Sequence, residues 1–228
     1  PAAALEMIHT YSLIHDDLPG MDNDDYRRGR LTNHKVFGEG FAILAGDGLL
    51  NYAYECILKN ALDYGANLEG HILAAREIAQ RAGVGGMVAG QSIDLLSEHR
   101  EPNEATLHYI HMHKTADLLT APLLAAAYIA GSDEKSIAAL RTFGACVGLA
   151  FQIDDDLLDV MGDAKDLGKQ TGMDEQRGKM TWPSLVGVEA AQKKSRELWT
   201  QAEEALAVFG DSAWFLREFA EALAKRKK

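Results

Sequence analysis

Phe151-Gln152-Ile153-Asp154-Asp155-Asp156-Leu157-Leu158-Asp159-Val160 decides how the rest of the chain is read. Apolar residues recur around the acids at helical spacing, so the stretch predicts a helix with one carboxylate-bearing edge. On a helix, positions i and i+4 lie about 40° apart around the axis and roughly 6 Å apart along it. Asp155 and Asp159 therefore share a face, with Asp156 beside them. Like charges at that spacing repel by about 0.2–0.5 kcal/mol on an exposed helix, and by more when buried. Alone, such a cluster reads as a solvated acidic edge. A bound cation is the other way to settle the repulsion.

The composition sets the frame around this helix. The 228 residues are 47% apolar and 25% charged, as expected for a globular chain with a sizeable core. Ala and Leu are abundant, only five residues are Pro, and β-branched runs are short, which favours an all-α fold. A net charge of −11 argues against a nucleic-acid partner and against an anionic membrane surface. It does not exclude a phosphate-bearing ligand, because divalent metals invert the local sign. Cys56 and Cys146 form neither a disulfide framework nor a metal pattern, and read as reduced thiols of a cytoplasmic protein. No apolar run reads as long and clean enough to span a membrane, and no signal peptide is visible.

No linker, repeat or low-complexity block interrupts the chain, so residues 1–228 read as a single domain. The first helix is expected to run to about Asp17 and to stop at Pro19-Gly20, a strong breaker pair. Met21 to about Lys35 reads as a loop rich in acids and arginines. Helices are expected over 38–62, 70–82, 85–97, 104–130, 134–161, 183–208 and 212–226, with Pro122 kinking the fourth. Gly162 to Trp182 has no clear period and reads as a long loop, and Pro183 suits the first turn of the next helix. Helices packed around a central cavity or core are the expected architecture.

The first helix ends in a second acidic cluster, Asp16-Asp17-Leu18-Pro19-Gly20-Met21-Asp22, followed by Arg27-Arg28-Gly29. Carboxylates at a helix C-terminus oppose the helix dipole, a cost that metal or Arg can offset. A calcium loop starting at Asp22 fails, because its sixth position would be Arg27 where Gly is needed and its twelfth Asn33 where Glu is needed. Hard oxygen ligands without His or Cys suit Mg²⁺ shared with a substrate's phosphates. Each acidic cluster has cations at hand: Arg27 and Arg28 after the first, Lys169 and Lys179 after the second, and Lys114-Thr115 between them. A bundle that faces the two clusters across one cavity can ionise a diphosphate ester, with metals and cations stabilising the departing pyrophosphate.

Asp16-Asp17-x-x-x-x-Asp22 with Arg27-Arg28-Gly29 resembles the first aspartate-rich motif of the trans-isoprenyl diphosphate synthases, and Phe151-Gln152-x-x-Asp155-Asp156-x-x-Asp159 the second. Further stretches are similar to that family in the same order: Glu6-x-x-His9-x-x-Ser12-Leu13, Asn33 to Glu39, Leu44-Ala45-Gly46-Asp47, Gly90-Gln91-x-x-Asp94-Leu95, His113-Lys114-Thr115, Leu167-Gly168-Lys169 and Gly178-Lys179-x-Thr181-x-Pro183. The resemblance covers nearly the whole chain. It implies an isoprenoid-synthase-type helical bundle around a central cavity, and three Mg²⁺ held by Asp16, Asp17, Asp22, Asp155, Asp156 and Asp159 on an allylic diphosphate. It also implies that Arg27, Lys114, Thr115, Gln152, Lys169 and Lys179 contact that substrate, and that His9 and Arg28 contact isopentenyl diphosphate. His15, His34, His111 and His113 read as structural or polar-network residues. No side-chain base stands out, which leaves the released pyrophosphate to take the proton. The basic end from Lys225 is either a solvated tail or, as the family implies, a cover over isopentenyl diphosphate.

Among the family's products, an aromatic at Tyr11 with four residues between Asp17 and Asp22 is similar to bacterial farnesyl diphosphate synthases, with small Ser12 one turn below Asp16. The resemblance thus implies a C15 product and a homodimer, with a C20-producing geranylgeranyl diphosphate synthase as the alternative. A terpene cyclase or head-to-head synthase is a further reading, and a product screen without isopentenyl diphosphate separates it. A non-catalytic partner subunit is another, although both acidic motifs are intact. The sequence opens at Pro1 directly in an amphipathic helical pattern, after the point where the family carries a Gly-Lys-Arg-type segment. The resemblance implies that residues 1–228 lack the family's N-terminal helices and have an incomplete isopentenyl diphosphate site, hence weak or no turnover by these residues, whereas the full-length protein is expected to be active. Normal steady-state turnover by these residues at saturating Mg²⁺ would refute that expectation.

Overall fold

The structure, a computed structural model, describes residues 1–101, 103–161 and 178–226. The first helix, α1 (Ala2–Asp16), shows how one element serves two neighbours. Ala4, Ile8 and Tyr11 lie on a buried stripe, at spacings of four and three. The chain leaves α1 through a tight turn in which the Asp22 N–H donates to the Asp16 carbonyl at 2.9 Å. That bond uses an otherwise orphaned helix-end carbonyl and sets Asp22 beside Asp16.

The stretch expected to be a loop contains a small hairpin, β1 (Tyr26–Arg27) and β2 (Arg30–Leu31), and a short helix, α2 (Asn33–Phe37). Tyr26 pairs with Leu31 and Arg27 with Arg30, antiparallel, so Arg28 and Gly29 form a two-residue turn. Both have positive φ, 51° and 75°, which the mirror-image hairpin turns require. Two-residue strands are too short to leave an alternating signature in the sequence.

Five helices match their expected spans closely: α3 (Glu39–Asp63), α4 (Leu68–Ala82), α5 (Met87–Ser97), α8 (Glu134–Met161) and, near the end, α11 (Trp214–Ala224). The helix expected over 104–130 is three segments: α6 (Glu104–Ile110), a π-helical turn (His111–Ala116) and α7 (Asp117–Ala130). The departure from α geometry falls at His111–Ala116, whereas α7 runs through Pro122. The helix expected over 183–208 divides at Gly187, φ 84°, into α9 (Trp182–Val186) and α10 (Val188–Ala205), followed by a 3-10 segment, Leu206–Ala213. The expected loop at residues 162–177 lies outside the described residues.

Helix α3 packs on α1, α4 on α7, α7 on α8, and α8 on α10. One core joins Ile8, Ile57, Ile78 and Ala121 from α1, α3, α4 and α7. A second joins Phe143, Val147, Ile153, Leu198 and Leu206 across α8, α10 and the 3-10 segment. Helix α8 is long and apolar enough to cross a membrane by length and composition, which corrects the expectation that no run is. Its apolar length is spent instead on α7 and α10, between which it lies.

Small residues let α8 approach the π turn and α7 closely. A Cβ added at Gly148 would lie 2.4 Å from both Cα and Cβ of Ala116, and one at Gly144 would lie 2.6 Å from Thr120 Oγ1. Gly148→Ala should therefore lower stability by about 1–3 kcal/mol through overpacking. Gly48→Ala on α3, where nothing lies within 4 Å, should instead be neutral or stabilising by up to about 1 kcal/mol. Urea denaturation of the two variants reads this contrast directly.

Candidate active site

Much of the rest of α1, together with Tyr11, lines a cavity of about 820 Å³. Leu5, His9, Ser12 and Asp16 follow one another at spacings of three to four along it, beginning at Ala2. The lined length of α1, Ala2 to Asp16, spans about 21 Å at 1.5 Å per residue. The opposite walls come from Val88, Gln91 and Leu95 of α5, Lys114 and Thr115 of the π turn, Leu118 and Pro122 of α7, and Phe151 of α8. Asp16, Gln91, Lys114 and Thr115 give this apolar space one polar end.

Around that end the first acidic cluster is held residue by residue. Arg27 clasps buried Asp17, with Nε donating to Oδ1 and Oδ2 at 2.9 and 3.0 Å and Nη2 to Oδ1 at 2.6 Å. The hydrogen bond to Asp17 holds the Arg27 guanidinium above its ordinary pKa. Gln91 Nε2 donates to Asp16 Oδ1 at 2.7 Å. Lys179 Nζ donates to both oxygens of Asp22, at 3.1 and 3.0 Å. Burial pushes the Asp16 carboxyl above the usual range; Lys114 opposes the rise and Asp22 adds to it. Burial alone would lower the Lys114 ammonium, but Asp16 and Asp94 outweigh it and leave the pKa raised. Lys114 Nζ donates to Asp94 Oδ2 at 2.7 Å.

The second cluster joins the same end through Thr115. Its Oγ1 donates to Gln152 Oε1 at 2.9 Å, and Gln152 Nε2 reaches Asp156 Oδ1 at 3.4 Å. Asp156 is buried, and its Oδ2 accepts the Trp182 backbone N–H at 2.9 Å. The Trp182 indole donates to His111 Nδ1 at 3.1 Å, so this nitrogen must be unprotonated. Burial first, then His108 and Lys114, lowers the His111 pKa to about 3, which agrees with that neutral ring. The sequence reading makes Asp156 a metal ligand; the structure engages both its oxygens with protein groups. Asp159 is buried on the same helix.

Arg226, from the basic end, reaches the second cluster. Its guanidinium stands 3.5 Å from the Phe151 ring centroid and donates from Nη2 to the Phe151 carbonyl at 2.9 Å and to Asp155 Oδ1 at 2.7 Å. His9 lines the cavity. Arg28 is exposed at the hairpin tip. Tyr11 is mostly buried, with its ring edge-on to His15 at 5.6 Å. Lys169 lies outside the described residues. Lys179 follows Gly178, whose carbonyl accepts the His99 N–H at 3.1 Å. Both residues have positive φ, and a Cβ at Gly178 would lie 2.2 Å from His99 Nδ1. His99 is a partner that no local pattern singles out; Asp94 stands in a stretch similar to the family and Arg226 in the basic end, but their partners Lys114 and Asp155 are not marked there.

Among the described residues, no three acid, histidine or cysteine side chains converge on one metal position. The donor set nevertheless fits Mg²⁺, which needs only one or two carboxylates when phosphate oxygens and water complete its octahedron. A family model described as polyprenyl synthetase matches residues 1–208. The chain belongs to the polyprenyl synthetase family. It is 47% identical over 203 residues to a farnesyl diphosphate synthase of Micrococcus luteus, covering 89% of this chain and 68% of that one. It is also 47% identical over 216 residues to a chloroplastic geranylgeranyl pyrophosphate synthase of Arabidopsis thaliana, covering 92% of this chain and 59% of that one. The chain thus spans about three fifths of that curated relative's length. A geranyltransferase from Helicobacter pylori, solved with magnesium and isoprenyl diphosphate, superposes with a TM-score of 0.82 at 35% identity, covering 96% of this chain and 71% of that one. These matches establish the all-α isoprenyl diphosphate synthase fold for this polyprenyl synthetase family member.

Proposed function

We propose that this chain carries the catalytic site of a Mg²⁺-dependent prenyltransferase that joins isopentenyl diphosphate to dimethylallyl or geranyl diphosphate, giving farnesyl diphosphate and pyrophosphate. The observation that carries the reading is the cavity itself: a long apolar space along α1 with Asp16, Lys114 and Thr115 at one end. Such a space suits a prenyl chain, and its polar end suits a diphosphate. Asp16, Asp17, Asp22, Asp155, Asp156 and Asp159 are the acids that would hold Mg²⁺ there, of which Asp17 also fixes Arg27 and Asp156 the Trp182 backbone. Bound Mg²⁺ supplies charge stabilisation to the departing pyrophosphate.

Lys114, Arg27 and Lys179 place positive charge where negative charge develops as the allylic C–O bond breaks. The apolar walls from Leu5, Leu95 and Leu118 exclude water from the cation that results. Its carbon then bonds to the double bond of isopentenyl diphosphate, held by His9 and Arg28. The proton lost in the elimination passes to pyrophosphate.

The C15 assignment rests on Tyr11, which lines the cavity below Asp16. One observation favours the C20 reading instead: the cavity continues past Tyr11 to Leu5 and Ala2. The M. luteus relative bears a C15 name and the A. thaliana relative a C20 name. A homodimer is supported by the apolar residues that α2 and α3 leave exposed, among them Phe37, Phe41, Leu44 and Leu62. Light scattering at a mass of one chain would contradict it.

Incubation of a form that carries the Gly-Lys-Arg-type segment with Mg²⁺, labelled isopentenyl diphosphate and geranyl diphosphate, with products resolved by chain length, tests both levels of the reading. A C15 product that lengthens to C20 or beyond in Tyr11→Ala is expected. Unchanged length in the variant would sink the role given to Tyr11, and the absence of any Mg²⁺-dependent condensation product would sink the reaction.

A further inference from the structure

Helix α5 meets the polar end of the cavity at three points one turn or less apart. A Cβ at Gly90 would lie 2.2 Å from the Lys114 backbone nitrogen, so α5 crosses the π turn backbone to backbone. Gln91 donates to Asp16 Oδ1 at 2.7 Å, and Asp94 accepts from Lys114 Nζ at 2.7 Å. Lys114 is also a charge neighbour of Asp16 and Asp22. Nothing but the Asp94 carboxylate holds its ammonium in a hydrogen bond among the described residues.

The two contacts divide the work by charge. Gln91 is a neutral donor: it fixes the orientation of Asp16 without cancelling its charge. Asp94 is an anionic acceptor: it takes up the Lys114 ammonium on the α5 side. Were Lys114 paired directly with Asp16, an internal cation would compete with a metal for that carboxylate. The geometry points to Gln91 and Asp94 as positioning residues that keep Asp16 oriented and Lys114 off it, so that Asp16 stays available to a divalent cation. Gly90 sets the backbone spacing this requires. This assignment rests on the reading of the polar end as a Mg²⁺-diphosphate site.

The test is calorimetric titration of Mg²⁺ into the protein with inorganic pyrophosphate present, so no turnover is needed. Removing partners that orient a metal ligand typically weakens metal binding about 10–100-fold. Asp94→Asn, which keeps the shape and removes the charge, should raise the Mg²⁺ midpoint about tenfold or more. Asp94→Glu should recover most of the loss. Gln91→Leu should shift the midpoint in the same direction, and Gln91→Asn less; this pair decides the matter should Asp94→Asn fail to fold by circular dichroism. A role confined to packing would lower the unfolding temperature and leave the Mg²⁺ midpoint where it was; that result overturns the inference while the wild-type titration upholds the site. A wild-type protein with no Mg²⁺-dependent pyrophosphate binding would instead remove the site reading, and this inference with it.

Discussion

Carboxylates close together and withdrawn from water persist only where something offsets their charge. Asp16, Asp17 and Asp22 are brought within a few residues of one another by a helix end and a tight turn. Burial penalises the ionised form of Asp16, and Asp22 adds to that cost. The fold answers with a partner drawn from a different element for each: Arg27 from the hairpin, Gln91 from α5 and Lys179 from the segment before α9. Asp155 of the second cluster receives Arg226 from beyond α11. The polar end of the cavity is thus where hairpin, bundle and C-terminal segment are tied together.

The same constraint explains the backbone at the site. A regular helix over 104–130 would run α geometry through Lys114 and Thr115. The π turn departs from that geometry at these two residues, and π turns cost helix stability yet recur at functional sites. Here the turn is locked from three sides. Gly90 of α5 and Gly148 of α8 admit its backbone at Lys114 and Ala116. His113 Nδ1 meets Asp117 Oδ2 at 2.7 Å. Asp117 is itself held by Arg81 of α4, which also pairs with Glu77. Remote ion pairs and two glycines thus set where one ammonium and one hydroxyl stand.

What the sequence discloses is what local periodicity encodes. The spans of α3, α4, α5 and α8 follow from apolar spacing and breakers, and the two acidic clusters are visible because their residues are adjacent in the chain. Pairings across the fold are not. Gln91 and Asp94 stand in a quoted motif, but their partners are 75 and 20 residues away. Pro122 carries the visible sign of helix distortion, yet the irregularity falls at His111–Ala116, where no residue type marks it. Asp155 and Asp156 read alike in sequence, whereas one step around α8 turns the second toward Trp182 and the π turn.

Gly178 shows a further consequence. Its left-handed backbone, its bond to His99 and the absence of room for a side chain fix it against the turn that follows α5. Lys179, next in the chain, is thereby held at the α5 end of the bundle, where its ammonium meets Asp22. Gly178 works as a fixed tether point through which the turn after α5 sets the place of one cation of the site.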